Sequence, residues 1–479
     1  MADRRQERAT SPQASRPSEI LFLLLVAALL CLQLFVPRFV GLADNGDFSR
    51  VVEPLGIAPP PEIGTAAYFD WVVPKYRFDP RGIWLHGLCC YSSGTLLAAL
   101  AVPVGFLISP PGGFDLRAIG IVNVLGFLLA TWLLVVASRP LRPFPRLVGG
   151  LLFVLAFTDV SYATYFNSFY TESAALIFFL ASLALAPLIA ERPAPSGWLI
   201  AGFFLCAALL VTSRPQNALL GIPLALLGLS LAWPGRNRSR RLLLAAVALA
   251  VCVVSIAYAR SSPTSLRRIY LYSAVFRELL AGSPDPRRDL SDLGLSPELA
   301  RYIGVSGFGA DSPVGDPAFQ RDFYGQIGYG KLARFYLGRP KRLWTAFERI
   351  AEHAFDVRPL RIGNFARSTG VPAGARSGSF DLWSRAKDRF APEGAWFVIV
   401  YLAVNLGAAI ALRASARSRA AAGTAEIWIA IVLVAAFQFS VTAVMEHESR
   451  RSLFLFNASC DMLLVALATR IAAALPPRA

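Results

Sequence analysis

Residues 44–50 combine side chains that could carry out acid–base chemistry next to a phosphate group. Asp44, Asp47 and Arg50 follow directly on the first apolar segment, where the chain would leave a bilayer. A carboxylate there could take a proton from a hydroxyl group, and an arginine could pair with a phosphate. The intervening Asn45-Gly46 also favours a tight turn that the aspartates would only cap. The residues alone leave both interpretations open.

Three further polar positions interrupt or end apolar segments. Glu172 opens an apolar helix, where a carboxylate is favourable with the helix dipole, so a structural cap competes with a catalytic role. Arg214 separates two apolar runs and could meet a phosphate or anchor the chain at the interface. Asp159 lies late in an apolar segment, which suggests either function or a place at the membrane surface.

The last candidate group lies between the final two apolar segments. Arg450 and Arg451 follow Glu446, His447 and Glu448 in the sequence. Paired arginines on the outer side of a membrane run against the positive-inside rule, which indicates a compensating anion. The two glutamates or the phosphate of a lipid could supply it, and the alternative without function is a solvated loop.

The composition that surrounds these groups is typical of a membrane protein with many crossings. Of 479 residues, 55% are hydrophobic and 16% charged, and the mean hydropathy is +0.51. Apolar runs of bilayer length recur, and the first is too long for a cleavable signal. We therefore predict an all-α polytopic membrane protein with about 10–11 transmembrane helices. The eleven candidate segments are 20–42, 91–109, 118–138, 147–166, 172–190, 198–212, 217–233, 242–259, 395–412, 426–445 and 453–475.

The basic loops predict which side of the membrane each polar stretch faces. Arginines crowd residues 236–241 and 413–419, which predicts that both loops are cytoplasmic. This places 44–87 and 260–394 outside, but eleven crossings are incompatible with that placement. We predict that one segment within 91–166 does not cross or is re-entrant, which leaves about ten crossings and both termini inside.

Composition also divides the chain into regions. Residues 1–19 are polar and basic and are predicted to be a disordered cytoplasmic tail. Residues 20–259 form an N-terminal transmembrane module, and 395–479 form the last transmembrane helices. Residues 260–394 contain no bilayer-length apolar run but keep many aromatic residues, which predicts an ordered extracytoplasmic insert rather than a linker.

The charge and the metal-binding residue types exclude some functions. The net charge of +16 is largely explained by the positive-inside rule, and no module typical of nucleic-acid binding is present. The remaining positive charge could contact anionic membrane lipids or phosphate-bearing substrates. His86, His353 and His447 lack zinc-ligand spacing, and the six cysteines include no Cys-x-x-Cys.

Two short runs resemble a known group of enzymes. Residues 45–50 (Asn-Gly-Asp-Phe-Ser-Arg) and 167–173 (Asn-Ser-Phe-Tyr-Thr-Glu-Ser) look like those of bacterial hexose transferases of cell-surface glycan synthesis, the WsfD-like group. The layout of one span, an outer loop that opens with carboxylates, further spans and a late outer domain is similar to the GT-C superfamily of integral membrane glycosyltransferases. The resemblance covers most of the chain in layout and is specific at the two short runs.

The resemblance implies an inverting enzyme of the bacterial cytoplasmic membrane whose active site faces outside. It would move a hexose from a polyprenyl-phosphate carrier to a glycan or lipid-linked acceptor. Asp47 matches the base position, and Asp44 and then Glu172 are the next candidates. A phosphate leaving group needs positive charge nearby rather than a strong acid. The candidates to hold that phosphate are Arg50, Arg214, Arg450 and Arg451, and the other candidate site residues are Asn167, Tyr170 and His447.

Cofactor use and two rival functions stay open from the sequence. The chain has no plain Asp-x-Asp, so a divalent metal is neither required nor excluded. A surface-glycan polymerase or ligase would share the many spans and the large outer loop. A lipid-linked sugar flippase or transporter would be expected to have two related halves, and none is visible in the sequence.

Overall fold

Helices account for most of the regular structure in the described residues. The computed structural model describes residues 16–63, 65–81, 91–233, 237–309, 311–358, 361–445 and 449–476. The helices of the first half are α1 (Arg16–Leu34), α2 (Ser49–Val52), α3 (Ser93–Ile108), α4 (Arg117–Ala137), α5 (Pro143–Phe157), α6 (Val160–Ala163), α7 (Glu172–Ala190), α8 (Gly197–Val211), α9 (Gly221–Ala232) and α10 (Arg238–Ser261). The helices of the second half are α11 (Thr264–Ser273), α12 (Pro286–Asp292), α13 (Pro317–Phe319), α14 (Tyr329–Leu337), α15 (Pro340–Ala351), α16 (Leu382–Phe390), α17 (Ala395–Ala414), α18 (Arg419–Met445), α19 (Ser449–Ser452) and α20 (Phe454–Ala474). One antiparallel sheet is formed by the strands β1 (Ile57–Ala58), β2 (Lys75–Phe78) and β3 (Gly113–Asp115), in that order.

Apolar helices make up the membrane part of the molecule. Eight helical segments among the described residues have at least 18 residues and are apolar enough to cross a membrane, and one of them, Pro215–Ala232, consists of a short 3₁₀-helix that continues into α9. The pair Pro143–Phe157 and Val160–Asn167 forms a further element that is bent by 56°, and α3 and α8 are shorter apolar helices. Each of the eleven predicted segments overlaps one of these elements, although the first was predicted to extend to residue 42 and α1 ends at Leu34. The prediction of an all-α polytopic membrane protein is confirmed.

The bundle has two ends of different character. We call the end that carries residues 262–394 the insert side and the other end the opposite side. On the opposite side, Arg139 and Arg146 both bind Glu19 near the start of α1, each with a nitrogen–oxygen distance of 2.7 Å. These contacts bring the connection from α4 to α5 next to the first helix.

The other basic connections also meet on the opposite side. Arg240, at the start of α10, donates a hydrogen bond to the carbonyl oxygen of Pro195 between α7 and α8. Arg419, at the start of α18, donates to the carbonyl oxygen of Leu231 at 2.6 Å. The arginine-rich stretches that the sequence analysis assigned to one side of the membrane therefore lie at the same end of the bundle.

Helix α3 begins and ends on the insert side. The amide of Ser93, its first residue, donates to the carbonyl oxygen of Thr212 at 3.1 Å, at the insert-side end of α8. Its last turn leads to β3, where Gly113 pairs with Arg77 of β2 in the same loop region. Among the described helices, α3 thus has both of its ends on the insert side. This agrees with the predicted non-crossing segment within 91–166.

Helix α7 is the central helix of the bundle and sets the position of Glu172. Of the 18-residue apolar window in α7, 89% is buried, the highest share among the candidate spans in the described chain. Many of its residues are alanine or serine, and small side chains let neighbouring helices approach closely. Because α7 starts at Glu172, that carboxylate lies at the insert-side end of the best-packed helix.

The insert has an aromatic core of its own and is joined to the first loop. Tyr272 and Phe276 pack on each other with ring centroids 4.8 Å apart, and Phe323 lies 5.1 Å from Phe276. The amide of Ala43 donates to the carbonyl oxygen of Gly363 at 2.9 Å, so residues of the insert run alongside the loop that leaves α1. The four-region division of the chain remains a prediction.

Candidate active site

The loop after α1 separates the two candidate aspartates by role. Asp44 Oδ1 accepts hydrogen bonds from the backbone amides of Gly46 at 2.7 Å and Phe48 at 3.1 Å. Gly46 has a φ of +99°, a conformation that favours glycine. Burial raises the pKa of Asp44, and the two amide bonds oppose that rise. Asp44 therefore fixes the turn that presents Asp47.

Phe48 anchors the same turn to the second sequence run. Its side chain is buried, and its ring meets the edges of Phe169 and Tyr170 with centroid distances of 5.5 Å and 4.7 Å. Edge-to-face contacts between buried rings add about 0.5–1.5 kcal/mol beyond their buried area. Residues 45–50 and 167–173, which stand far apart in sequence, are thus packed together.

Asp47 binds a guanidinium group with each of its carboxylate oxygens. Oδ1 lies 3.0 Å from Nη2 of Arg50, and Oδ2 accepts from Nη2 of Arg451. Burial acts to raise the pKa of Asp47, but the charges of Arg451 and Arg50 outweigh it and lower the pKa to about 2. A carboxylate in this state is ionised at neutral pH, and each of its oxygens contacts a guanidinium group.

Glu172 contacts two of the candidate arginines and is more deeply buried than Asp47. Its Oε1 atom lies 2.8 Å from Nη1 of Arg214 and 2.9 Å from Nε of Arg451. The carboxylate is almost fully buried, which leaves it no open path to a substrate hydroxyl. This position suits a residue that orients the arginines better than it suits a general base.

Aromatic side chains complete the surroundings of the arginines. The guanidinium carbon of Arg451 lies 4.7 Å from the centroid of the Tyr170 ring, which is a cation–π contact. The Tyr170 hydroxyl donates to the carbonyl oxygen of Ala43 at 2.9 Å, so the ring is held in place. Nη1 of Arg50 donates to the hydroxyl of Tyr270 at 3.2 Å, and this bond brings helix α11 of the insert to the site.

These contacts define an arginine–carboxylate cluster with unequal charges. Three guanidinium groups contact two carboxylates, so these five groups carry one excess positive charge when all are ionised; the neighbouring carboxylate of Asp44, which is bound to backbone amides, is not included in this count. The side-chain exposures decrease from the rim to the base in the order Arg50 34%, Asp47 20%, Arg214 14%, Arg451 9% and Glu172 2%. The arrangement is suited to bind an anion that approaches past Arg50, since charge-assisted bonds from guanidinium groups to phosphate are strong.

The other predicted site residues have different places. Asn167 is buried, and its Nδ2 donates to the carbonyl oxygens of Leu34 at 3.1 Å and Val40 at 2.8 Å, where it joins the end of α1 to the turn before α7. This is a structural contact outside the cluster. His447 and the side chain of Arg450 lie outside the described residues.

Asp159 caps a helix and holds part of the insert. Its Oδ1 accepts from the amide of Ser161 at the start of α6, and its Oδ2 accepts from the amide of Ser384 in α16, both at 2.9 Å. The carboxylate thus stabilises the bend after α5 and fastens α16 to it. Within the part of the chain that the structure describes, no group of three or more His, Cys, Asp and Glu side chains forms a candidate metal site.

A second polar network was not found by sequence reasoning. Lys387 of α16 donates to Asn457 Oδ1 at 2.6 Å and lies 3.1 Å from Asp461 Oδ1. The hydroxyl of Tyr162 donates to Asp461 Oδ2 at 2.7 Å. The available signal was Asp461 itself, a carboxylate within the last apolar segment. Tyr270 gave no signal, because nothing in its sequence neighbourhood marks it as a partner of Arg50.

Two solved structures resemble this chain over most of its length. The fold is similar to that of the archaeal oligosaccharyltransferase AglB from Archaeoglobus fulgidus, solved in complex with an inhibitory peptide and a dolichol-phosphate, with a TM-score of 0.43 and 14% identity over 96% of this chain and 51% of that chain. The Archaeoglobus fulgidus oligosaccharyltransferase in the apo form gives a TM-score of 0.42 and 14% identity over the same shares. The chain spans about half the length of these proteins.

Sequence comparison gives a family assignment. No curated protein matches the chain significantly. A family model described as the YfdI N-terminal transmembrane domain matches residues 6–478, which is almost the entire sequence. The chain therefore belongs to the YfdI N-terminal transmembrane domain family.

Proposed function

We propose that the protein is a GT-C-type glycosyltransferase that takes a hexose from a polyprenyl-phosphate carrier and adds it to a cell-surface glycan or a lipid-linked acceptor. The observation that carries the proposal is the arginine–carboxylate cluster with its excess positive charge. The sequence resemblance to WsfD-like hexose transferases supports the choice of a hexose. The lipid phosphate of the sugar donor would balance the charge of the cluster.

The proposed reaction assigns a role to each member of the cluster. Asp47 takes the proton from the acceptor hydroxyl, and the oxygen attacks the anomeric carbon of the hexose with inversion. The bond from that carbon to the phosphate oxygen breaks, and its electron pair leaves with the lipid phosphate. Arg50, Arg214 and Arg451 stabilise the departing anion, so that no strong general acid is needed. Glu172 orients Arg214 and Arg451.

The proposed orientation puts the cluster outside the cytoplasm of a bacterial inner membrane. The basic connections of the bundle lie on the side opposite the cluster. The positive-inside rule assigns such connections to the cytoplasm. A periplasm-active reporter enzyme fused at Gly315 of the insert should therefore be active, and a reporter active only in the cytoplasm should be silent there.

Surface glycan from a deletion strain tests the proposed reaction. We expect the glycan of the deletion strain to lack one hexose per acceptor unit, and the wild-type gene to restore it. Asp47→Asn should fail to restore the hexose. Glu53→Gln is a matched control, because Glu53 is an exposed carboxylate six residues further along the same loop.

The same experiment separates the rival functions. Intact units in shorter chains would support a polymerase or ligase instead. Accumulation of the lipid-linked hexose on the cytoplasmic side would support a flippase or transporter. A glycan of unchanged mass in the deletion strain would contradict the proposed transfer of a hexose.

A further inference from the structure

In this structure Asp47 lies between Arg50 and Arg451, at the position where a bound phosphate would be expected. Its two oxygens bridge Arg50 and Arg451, one oxygen to each guanidinium group. A phosphate group offers oxygens to guanidinium donors in the same way. The carboxylate therefore occupies hydrogen-bond donors that the substrate phosphate would need.

Only one of the two carboxylates in the cluster can be displaced easily. Glu172 is 2% exposed and is held by Arg214 and Arg451 at the base. Asp47 is 20% exposed and lies in a turn next to Arg50, the most exposed member. An anion that enters from the rim meets the bonds of Asp47 first.

The bound state of Asp47 also makes it a weak base. A general base works best when its pKa is near the working pH, and the two guanidinium groups lower the pKa of Asp47 to about 2, against the effect of burial. The other charged or titratable groups around it are Asp44 in the turn, Arg214 and Glu172 at the base, Tyr170 beneath Arg451, and Tyr270 from the insert. Loss of the two arginine bonds and the arrival of a phosphate charge would both raise the pKa of Asp47.

We propose that the phosphate of the lipid-linked sugar donor displaces Asp47 from Arg50 and Arg451, so that binding of the sugar donor releases the base. This inference rests on the proposed function of the cluster. It orders the reaction, because the acceptor hydroxyl finds a free carboxylate only after the sugar donor is in place.

Carbodiimide labelling of Asp47 tests the release. The full-length protein in nanodiscs is treated at mildly acidic pH with a water-soluble carbodiimide and an amine, with and without a polyprenyl monophosphate, and peptides are quantified by mass spectrometry. We expect the polyprenyl phosphate to increase labelling of Asp47, because a released carboxylate protonates more readily. The neutral polyprenol should cause no increase, and Asp44 on the same peptide is an internal reference.

The sign of the labelling change decides whether the phosphate lipid releases Asp47. Reduced labelling of Asp47 would mean that the phosphate lipid covers an unmoved carboxylate, which overturns the release but leaves the proposed function intact. Unchanged labelling, together with no binding of radiolabelled polyprenyl phosphate, would overturn both. Unchanged labelling with measurable binding would overturn the release alone.

A binding measurement with two isosteric variants gives a second test. Asp47→Asn removes the competing anion, so the polyprenyl phosphate should bind about tenfold more tightly, as expected for one charge-assisted contact no longer in competition. Asp44→Asn changes the charge of the loop equally and keeps a side-chain oxygen for the turn, and it should alter affinity much less. Equal gains in the two variants would show a general charge effect and contradict the displacement.

Discussion

Two of the ionic networks among the described residues, the arginine–carboxylate cluster and the network around Lys387, differ in charge balance. The arginine–carboxylate cluster has three cations, two anions and a rim open to solvent, whereas the Lys387 network has one cation and one anion. Lys387 and Asp461 are 7% and 4% exposed. Asn457 and Tyr162 satisfy their remaining hydrogen bonds. A network with equal positive and negative charge satisfies its own ion pairs and holds helices together. A network with excess positive charge is expected to bind an anion from outside.

The largest effect is expected from the proposed base. Asp47→Asn keeps the shape of the side chain and removes its basicity, so turnover should fall by about 10²–10⁴-fold. Asp44→Asn should reduce turnover much less, because Asp44 only holds the turn. The measurement is the transfer rate at saturating sugar donor. If turnover instead falls strongly in Asp44→Asn and stays near normal in Asp47→Asn, Asp44 is the base and Asp47 is not.

Substitution in the Lys387 network should lower the stability of the protein rather than its turnover. Lys387→Met leaves the carboxylate of Asp461 buried without its cation, which should lower the free energy of unfolding by about 3–5 kcal/mol. Thermal unfolding in detergent measures the change. Arg385→Gln is the control on the same helix, since that arginine is 70% exposed and its ion pair should contribute little. If Lys387→Met folds normally but loses affinity for a polyprenyl phosphate, the contrast between the networks fails.

Removal of the excess charge should affect ligand binding without unfolding the protein. Arg214→Gln leaves two guanidinium groups for two carboxylates, so the cluster becomes balanced like the Lys387 network. Affinity for a polyprenyl phosphate should fall by an amount worth about 1.5–3 kcal/mol, while the unfolding temperature changes little. Arg192→Gln, on the opposite side of the bundle, is the matched control. Unchanged affinity in Arg214→Gln would make that arginine an interface anchor.

The smallest effect concerns the packing that supports the cluster. A Cβ atom at Gly120 would lie 1.7 Å from Oδ1 of Asn167, so Gly120→Ala should cost about 1–3 kcal/mol of stability through overpacking. Gly407→Ala is the control, because a Cβ there meets nothing within 4 Å. That control should stabilise helix α17 by about 0.4–1 kcal/mol. Equal unfolding temperatures for the two variants would show that the Asn167 pocket tolerates an extra methyl group.

The sequence contained enough information for the architecture and for part of the site. Apolar runs show where helices cross, because a bilayer demands that composition whatever the neighbours are. The basic loops then put the polar groups at one end, which is how Asp47, Glu172, Arg214 and Arg451 could be considered together. Their pairing could not be read from the sequence, because each bond joins segments whose approach depends on how the helices pack.

Several assignments needed three-dimensional neighbours. Asp44 and Asp47 have the same side chain three residues apart, and only their neighbours distinguish them: backbone amides around Asp44, and Arg50 and Arg451 around Asp47. Asp159 looked like a candidate functional carboxylate until its bonds to the amides of Ser161 and Ser384 were visible. Lys387 lies in a stretch of ordinary polar composition, so nothing in its own surroundings in the sequence indicates burial next to Asp461.

The path of helix α3 determines whether the chain crosses the membrane an odd or an even number of times between Asp47 and Glu172. Between Asp47 and Glu172 the polypeptide passes through α3, α4 and the bent pair that starts with α5. If α3 crossed the bilayer, three passages would separate the two carboxylates onto opposite faces, and Arg451 could not touch both. Because α3 returns to the side from which it came, the number of passages is even and the cluster can assemble. An insertion or deletion that made α3 cross would therefore divide the cluster between two compartments while every one of its residues stayed in the sequence.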